Sequence, residues 1–328
     1  MKTRSYDAFR DLLDRGAVAE AIRFAEMECL AQGGRSEFWL TQLSVALARD
    51  KQYGRAVEAA DRALAVDPGS AYALLARAEA LKGAGEAQEA AAAYEELLAR
   101  GEPRLRARAL KGLLECLAQR EQWQRVLDLA SDGSVPGGGA MRWRVRALAG
   151  LGRDEEAREA CLEWLRRSPD HREALWQLTE LDVRRDGLEA VRARMGRLAR
   201  IPSRPPIYRE IYASLCRRAG DEGKALAEYE RLSAQAPNPR ILRKQAFSLA
   251  KSGREEQAIP ILEELLRMEP GDMYLHSSYG AACERAGQLE RAWAFYQGLL
   301  ADHPDEKSLF GRLRRIRKKM EKQAAEGL

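Results

Sequence analysis

The sequence predicts an all-α chain, an α-solenoid of antiparallel helix pairs finished by a C-terminal capping helix. Three observations predict it. Prolines close similar short runs at AVDPGS (Pro68), RRSPDH (Pro169), SAQAPNP (Pro237), RMEPGD (Pro270) and LADHPDE (Pro304), with gaps of 101, 68, 33 and 34 residues, close to multiples of 34. A small or branched residue recurs as Ala21, Ala56, Ala90, Val126, Ala157, Val191, Ala225, Ala258 and Ala292, at spacings of 31 to 36. Glycine stands five residues before six of these, at Gly16, Gly85, Gly152, Gly220, Gly253 and Gly287. Three residue types in one register make a repeat, and a period near 34 is that of paired helices.

Nine units follow, opening near residues 2, 37, 71, 107, 138, 172, 206, 239 and 273. The third shows how each is built. YALLARAEALKGAG (72–85) has apolar residues at helical spacing and ends in Gly85, which can adopt the left-handed conformation that stops a helix. EAQEAAAAYEELLARGEP (86–103) is helical again and closes near Pro103, since proline lacks the N–H that a helix interior needs. The recurrent alanine early in the second helix lets the pair approach closely. The first and second units carry Ala21 and Ala56 in that place. The fourth departs from it: Val126 replaces alanine, no proline closes the unit, and the chain runs into SDGSVPGGGA (131–140), expected to be a bend or flexible joint. The fifth regains Gly152, Ala157 and Pro169. The sixth carries Val191 and ends at IPSRPPI (201–207), where Pro205 and Pro206 stiffen the crossing. The last three units are regular. Beyond them Leu309, Leu313, Ile316 and Met320 form one helical stripe, expected to cover the open end of the array. The expected division is therefore a repeat array over 1–304 and a basic amphipathic capping helix over 305–328.

The pattern resembles the tetratricopeptide repeat (TPR) family. The matching residues run Leu74, Leu81, Gly85, Ala90, Tyr94 and Leu97 in one unit. They run Tyr212, Ala213, Gly220, Ala225, Tyr229, Leu232 and Pro237 in another, and Tyr279, Gly280, Gly287, Ala292, Tyr296, Leu299 and Pro304 in the last. The resemblance covers about residues 2–304. It implies a right-handed superhelix whose first helices line a concave groove, and a protein-binding role.

Composition narrows the function. The 328 residues are 45 % apolar and 32 % charged with a formal net charge of +5, enough apolar matter for a core and too little net charge for a disordered chain. No apolar run approaches the length of a membrane span. Met1 to Arg10 is polar and shows no secretory stretch. The five cysteines, at 29, 116, 161, 216 and 283, are odd in number and never form CxxC, which argues against a disulfide framework or a zinc site and for a reducing cytoplasm. The Ala/Arg/Leu-heavy composition has a bacterial look. His171, His276 and His303 are too scattered for a metal site, and no GxGxxG after a strand, GxxxxGK[ST], HExxH or GxSxG occurs. Acid pairs such as Glu95–Glu96 and Glu263–Glu264 are expected on outward, solvated faces. No enzyme, cofactor or metal is expected.

The family frame assigns inner-face positions on each first helix. It gives Arg108, Lys111, Arg142, Trp143 and Arg146 in units four and five, Trp176 with Gln177 and Glu180 in unit six, and Arg218, Arg240, Arg243, Lys244 and Lys251 in units seven and eight. The first three units offer a more apolar set, Tyr6, Phe38 and Tyr72 with Arg10 and Glu79. Arginine holds carboxylates through paired donors and tryptophan gives a rigid apolar platform, so this groove fits an acidic or aromatic-containing segment of a partner protein, unless the arginines merely solvate the face. Asn238 is the chain's single asparagine, so the asparagine pairs and ladders by which other TPR domains grip peptide termini and backbones have no counterpart here. The capping segment adds a basic run, LFGRLRRIRKKMEK (309–322), with Arg312, Arg314, Arg315, Arg317, Lys318 and Lys319. That run reads as a nucleic-acid or anionic-membrane contact, or as a plain solvated cap. The reading is a cytoplasmic, non-catalytic adaptor, with a nucleic-acid-associated protein or the specificity subunit of a separate enzyme as alternatives.

Overall fold

The computed structural model describes residues 2–133, 135, 138–304 and 307–326, and all regular structure among them is helical. The joint expected at 131–140 lies partly outside the described residues, at 134, 136 and 137. The chain divides into two compact units, Met1–Leu181 and Asp182–Leu328.

In the first unit the pairs are α1 (Lys2–Asp14) with α2 (Val18–Ala31), α3 (Glu37–Arg49) with α4 (Tyr53–Val66), α5 (Ala71–Ala84) with α6 (Ala87–Ala99), α7 (Pro103–Gln119) with α8 (Trp123–Ser131), and α9 (Gly138–Gly150) with α10 (Asp154–Arg167). The division falls within α11 (Arg172–Asp186). The second unit holds α12 (Leu188–Ala199), α13 (Pro206–Arg218) with α14 (Glu222–Gln235), α15 (Pro239–Lys251) with α16 (Glu255–Met268), α17 (Met273–Arg285) with α18 (Leu289–Asp302), and α19 (Lys307–Glu326). Consecutive helices pack in sequence from α1 to α10 in the first unit and from α12 to α19 in the second, and first helices also pack on one another, α3 on α5, α5 on α7, and α15 on α17.

Local chemistry explains these boundaries. Gly16, Gly85, Gly152, Gly220, Gly253 and Gly287 all have positive φ, between 67° and 88°, at the turn inside a pair. The equivalent turns of the second and fourth pairs use Lys51 (φ 62°) and Glu121 (φ 55°) instead. Ser36, Ser70 and Asp272 cap α3, α5 and α17 by accepting from backbone N–H groups of the first turn. The fourth pair opens at Pro103 rather than near 107, because proline at the first helical position has φ already set and no N–H to leave unsatisfied. Its partner α8 has only nine residues.

All nine recurrent small residues, Ala21 through Ala292, are fully buried. A second close approach joins successive pairs. The Tyr53 ring lies on Gly83, the Tyr94 ring on Gly112 and the Trp123 ring on Gly150, so near that a Cβ on any of these glycines would stand 2.2–2.4 Å from ring carbon. The stripe of α19, Leu309, Leu313, Ile316 and Met320, joins the core cluster of α16 to α18, so this helix caps the second unit.

Of the Glu263–Glu264 pair, expected on a solvated face, Glu264 is exposed but Glu263 is not. Glu263 is buried, accepts from the Tyr279 hydroxyl at 2.9 Å, and receives both Nε and Nη2 of Arg291 at 2.9 and 3.0 Å. A buried carboxylate is tolerable only when its oxygens are saturated in this way.

Candidate partner-binding surface

The expected inner-face cations are largely engaged within the chain. In the first unit Arg108 grips Glu79 of α5 with Nε and Nη2, each at 2.6 Å. Lys111 stands 4.0 Å from Glu115, whose other oxygen takes Lys82 of α5 at 2.6 Å. Arg142 donates from Nε to Glu173 of α11 at 2.7 Å. In the second unit Arg240 and Lys244 share one carboxylate, Glu210 of α13, at 3.4 and 2.7 Å. Glu210 is 3 % exposed.

Other candidates sit elsewhere. Arg243 turns to Glu269 and Asp272 at the α16–α17 turn, at 2.7 and 2.8 Å. Lys251, in the last turn of α15, reaches Glu222 in the first turn of α14 at 2.5 Å. Trp176 is half-buried and Arg218 is exposed at the end of α13. Trp143 is a correction. It was expected to offer its ring to a ligand, but it is only 7 % exposed, packed in the core of the first unit. Arg146 stacks on it, with its guanidinium carbon 5.1 Å from the Trp143 ring centre and 6.0 Å from that of Trp123. The ring thus anchors its own helix.

The apolar set of the first three units is accessible. Phe38 is 37 % and Tyr72 57 % exposed, each the second residue of its first helix, and Tyr6 meets Phe38 edge-on at 5.5 Å. Tyr274 holds the same position on α17 and is 80 % exposed, which the sequence reading passed over. Between α3, α5 and α7 lies a cleft of about 320 Å³ lined by Arg49, Tyr53, Glu79, Lys82 and Arg108. A larger cleft, about 810 Å³, opens between α8 and α10, with charges of both signs from Asp128, Arg144, Glu156 and Glu163.

The acidic partners were missed, though a signal for them exists. Glu79 precedes Arg108 by 29 residues, Lys82 precedes Glu115 by 33, and Glu210 precedes Arg240 and Lys244 by 30 and 34. Opposite charges one repeat apart face each other on stacked first helices, so the period that revealed the fold also pairs the charges.

Along α19, Arg317 bonds Glu321 at 2.9 Å, Lys319 bonds Glu284, and Arg312 lies 3.5 Å from the Met273 sulfur. Arg314, Arg315 and Lys318 are exposed and make no ion pair with a described residue.

All five cysteines are buried. Burial pushes the Cys29, Cys116 and Cys216 thiols up and Cys283 to about 11, the reverse of an activated nucleophile. His276 is buried, with Nε2 2.8 Å from the Pro270 carbonyl and Nδ1 3.1 Å from the Tyr296 hydroxyl. Among the described residues no group of three or more His, Cys, Asp or Glu could hold a metal, and no helix is long and apolar enough to cross a membrane.

Family models described as tetratricopeptide repeat match residues 41–103, 120–172 and 249–315, more than half of the chain. No curated protein matches by sequence. Among solved structures, a tetratricopeptide repeat protein from Parabacteroides merdae aligns with a TM-score of 0.50 at 13 % identity, covering 75 % of this chain and 98 % of that one. The P58(IPK) TPR domain aligns at 0.32 and 14 % identity over 98 % of each chain. A structure of Naa15/Naa10 bound to HypK-THB aligns at 0.34 and 17 % identity, over 93 % of this chain and 59 % of that one. The repeat register, the buried alanines and the family models over more than half of the chain agree: the chain belongs to the tetratricopeptide repeat family.

Proposed function

We propose that this chain is a non-catalytic scaffold that holds an acidic segment of a partner protein against its first-helix faces, with exposed aromatic side chains as anchors. The observation that carries the reading is the pairing at Glu210. Arg240 gives that carboxylate one long bond, at 3.4 Å, and its side chain is 52 % exposed, so several of its donors face solvent. A carboxylate brought by a ligand adds to this pair without displacing Glu210. Phe38 and Tyr72, one repeat apart on adjacent helices, supply rigid rings of the kind that dominate protein interfaces. Five buried cysteines, none of them in a disulfide, support a reducing cytoplasm.

Capture from the native cell followed by mass spectrometry tests the proposal, comparing wild type with Arg240→Glu/Lys244→Glu and with Phe38→Ala/Tyr72→Ala. The expected result is an acidic partner lost at least about tenfold from one or both variants, with helicity unchanged. An identical captured set from all three proteins would refute it.

A further inference from the structure

We propose that a recess between the second helices α12 and α14 binds a phosphate dianion, free or as a phosphomonoester. Such recesses recur along the chain, because two second helices that straddle a first helix leave a furrow between them. One lies between α2 and α4 over α3, another between α8 and α10 over α9, and this one, of about 300 Å³, between α12 and α14 over α13. The first two are electrically balanced, with as many carboxylates as cations in their walls. The third is not. Arg192, Arg197, Arg200 and Lys224 line it against the single carboxylate of Glu189. Asp221 stands beside it, 2.6 Å from Lys224 and 3.4 Å from Arg192. With that second carboxylate included, two positive charges remain in excess within one furrow. The imbalance of the whole recess marks the site, not the exposure of any one arginine.

The shape suits a small, compact anion. Ala193 and Gly196 give the α12 wall almost no side chain, and the Tyr212 ring lies on Gly196, where a Cβ would stand 2.9 Å from it. A low, rigid floor is thus surrounded by long cationic side chains. Glu189 and Asp221 hold Arg192 and Lys224 in place, at 2.5 and 2.6 Å. Arg197 and Arg200 are exposed and lie three residues apart, on one side of α12. Guanidinium groups take the oxygens of a phosphate in pairs, and lysine serves as a point charge. The volume stands at the small end of ligand recesses. The excess of two charges equals that of a phosphate dianion, whereas one peptide carboxylate would offset half of it. A nucleic-acid strand carries one charge per phosphodiester and needs a track of cations, not a single furrow. No residue of this recess belongs to the first-helix surface, so either reading can fail without the other.

Isothermal titration calorimetry on the full chain, at fixed ionic strength in sodium chloride, tests the site with two probes, inorganic phosphate and a five-residue peptide bearing one phosphoserine. Wild type is expected to bind at least one of them with a Kd of about 1 mM or tighter. Tighter binding of inorganic phosphate identifies a free phosphate or small phosphomonoester as the ligand; tighter binding of the peptide identifies a phosphorylated partner. Either result upholds the recess. Arg197→Gln/Arg200→Gln weakens binding at least about tenfold with circular dichroism unchanged, and the unphosphorylated peptide does not bind. Arg55→Gln/Arg62→Gln removes the same charge from the balanced recess at α4 and leaves binding unchanged, as does Arg240→Glu/Lys244→Glu. Phosphopeptide affinity falls as pH drops below about 6, where the dianion takes up a proton. Absence of binding by wild type, an equal loss in the Arg55/Arg62 variant, or full binding by the Arg197/Arg200 variant overturns the proposal.

Discussion

At residues 51 and 121 the turn inside a helix pair needs left-handed backbone, and the chain supplies lysine and glutamate where six other pairs supply glycine. A side chain in that conformation brings its Cβ close to the following carbonyl, at a cost of about 1–2 kcal/mol. Lys51→Gly and Glu121→Gly are therefore expected to raise stability by about 1 kcal/mol each in urea denaturation, less whatever entropy the freer unfolded chain regains. No gain in either would mean that other contacts hold these turns. The position was legible from the repeat register, because the glycine marker is missing there. Trp143 was not legible in the same way. Its place in the register marks an inner-face residue, and only the packing of α9, with Arg146 lying over the ring, shows that it is core.

The ion pairs belong to pairs of elements. Glu26–Arg55 joins α2 to α4, Arg125 bonds Glu95 between α8 and α6, and Arg291–Glu263 joins α18 to α16, each 28 to 30 residues apart. Another set ties the first turn of a second helix to the last turn of the next first helix, Glu222 to Lys251 and Glu255 to Arg285. There acid meets the positive end of one helix dipole and base the negative end of the next. Burial decides what each pair contributes. Glu79 and Arg108 are partly solvated, so Glu79→Gln is expected to cost under about 1 kcal/mol. Glu210 is buried beneath two cations, so Glu210→Gln is expected to cost about 1–3 kcal/mol and to be the more damaging of the two. Chemical denaturation of both variants checks the order; the reverse order would mean that the Glu210 cluster is no more than a surface contact.

On the scale of the molecule, stability in such an array is close to a sum of nearest-neighbour terms. Within the second unit the cap α19 covers α17 and α18 directly, through Leu309 and Ile316 against the cluster that includes Tyr279, Tyr296 and Leu299. Deleting 305–328 is expected to speed amide exchange in α17 and α18 more than in α13 and α14. A uniform acceleration across the unit would show that it opens as one cooperative block and not from its end.

The sequence by itself determined the family and the number of helix pairs. Those depend on short-range chemistry that recurs along the chain: glycine at most of the left-handed turns, alanine or valine where helices touch, apolar residues at helical spacing. It also held the charge pairing, in the repeat period, though that became visible only once stacked helices showed which positions face each other. What the tertiary structure alone decided was which charges are spent and which remain. A cation on a first helix and one on the cap look alike as letters. Distance to a carboxylate on another helix separates them, and that distance is fixed by packing between residues some thirty positions apart.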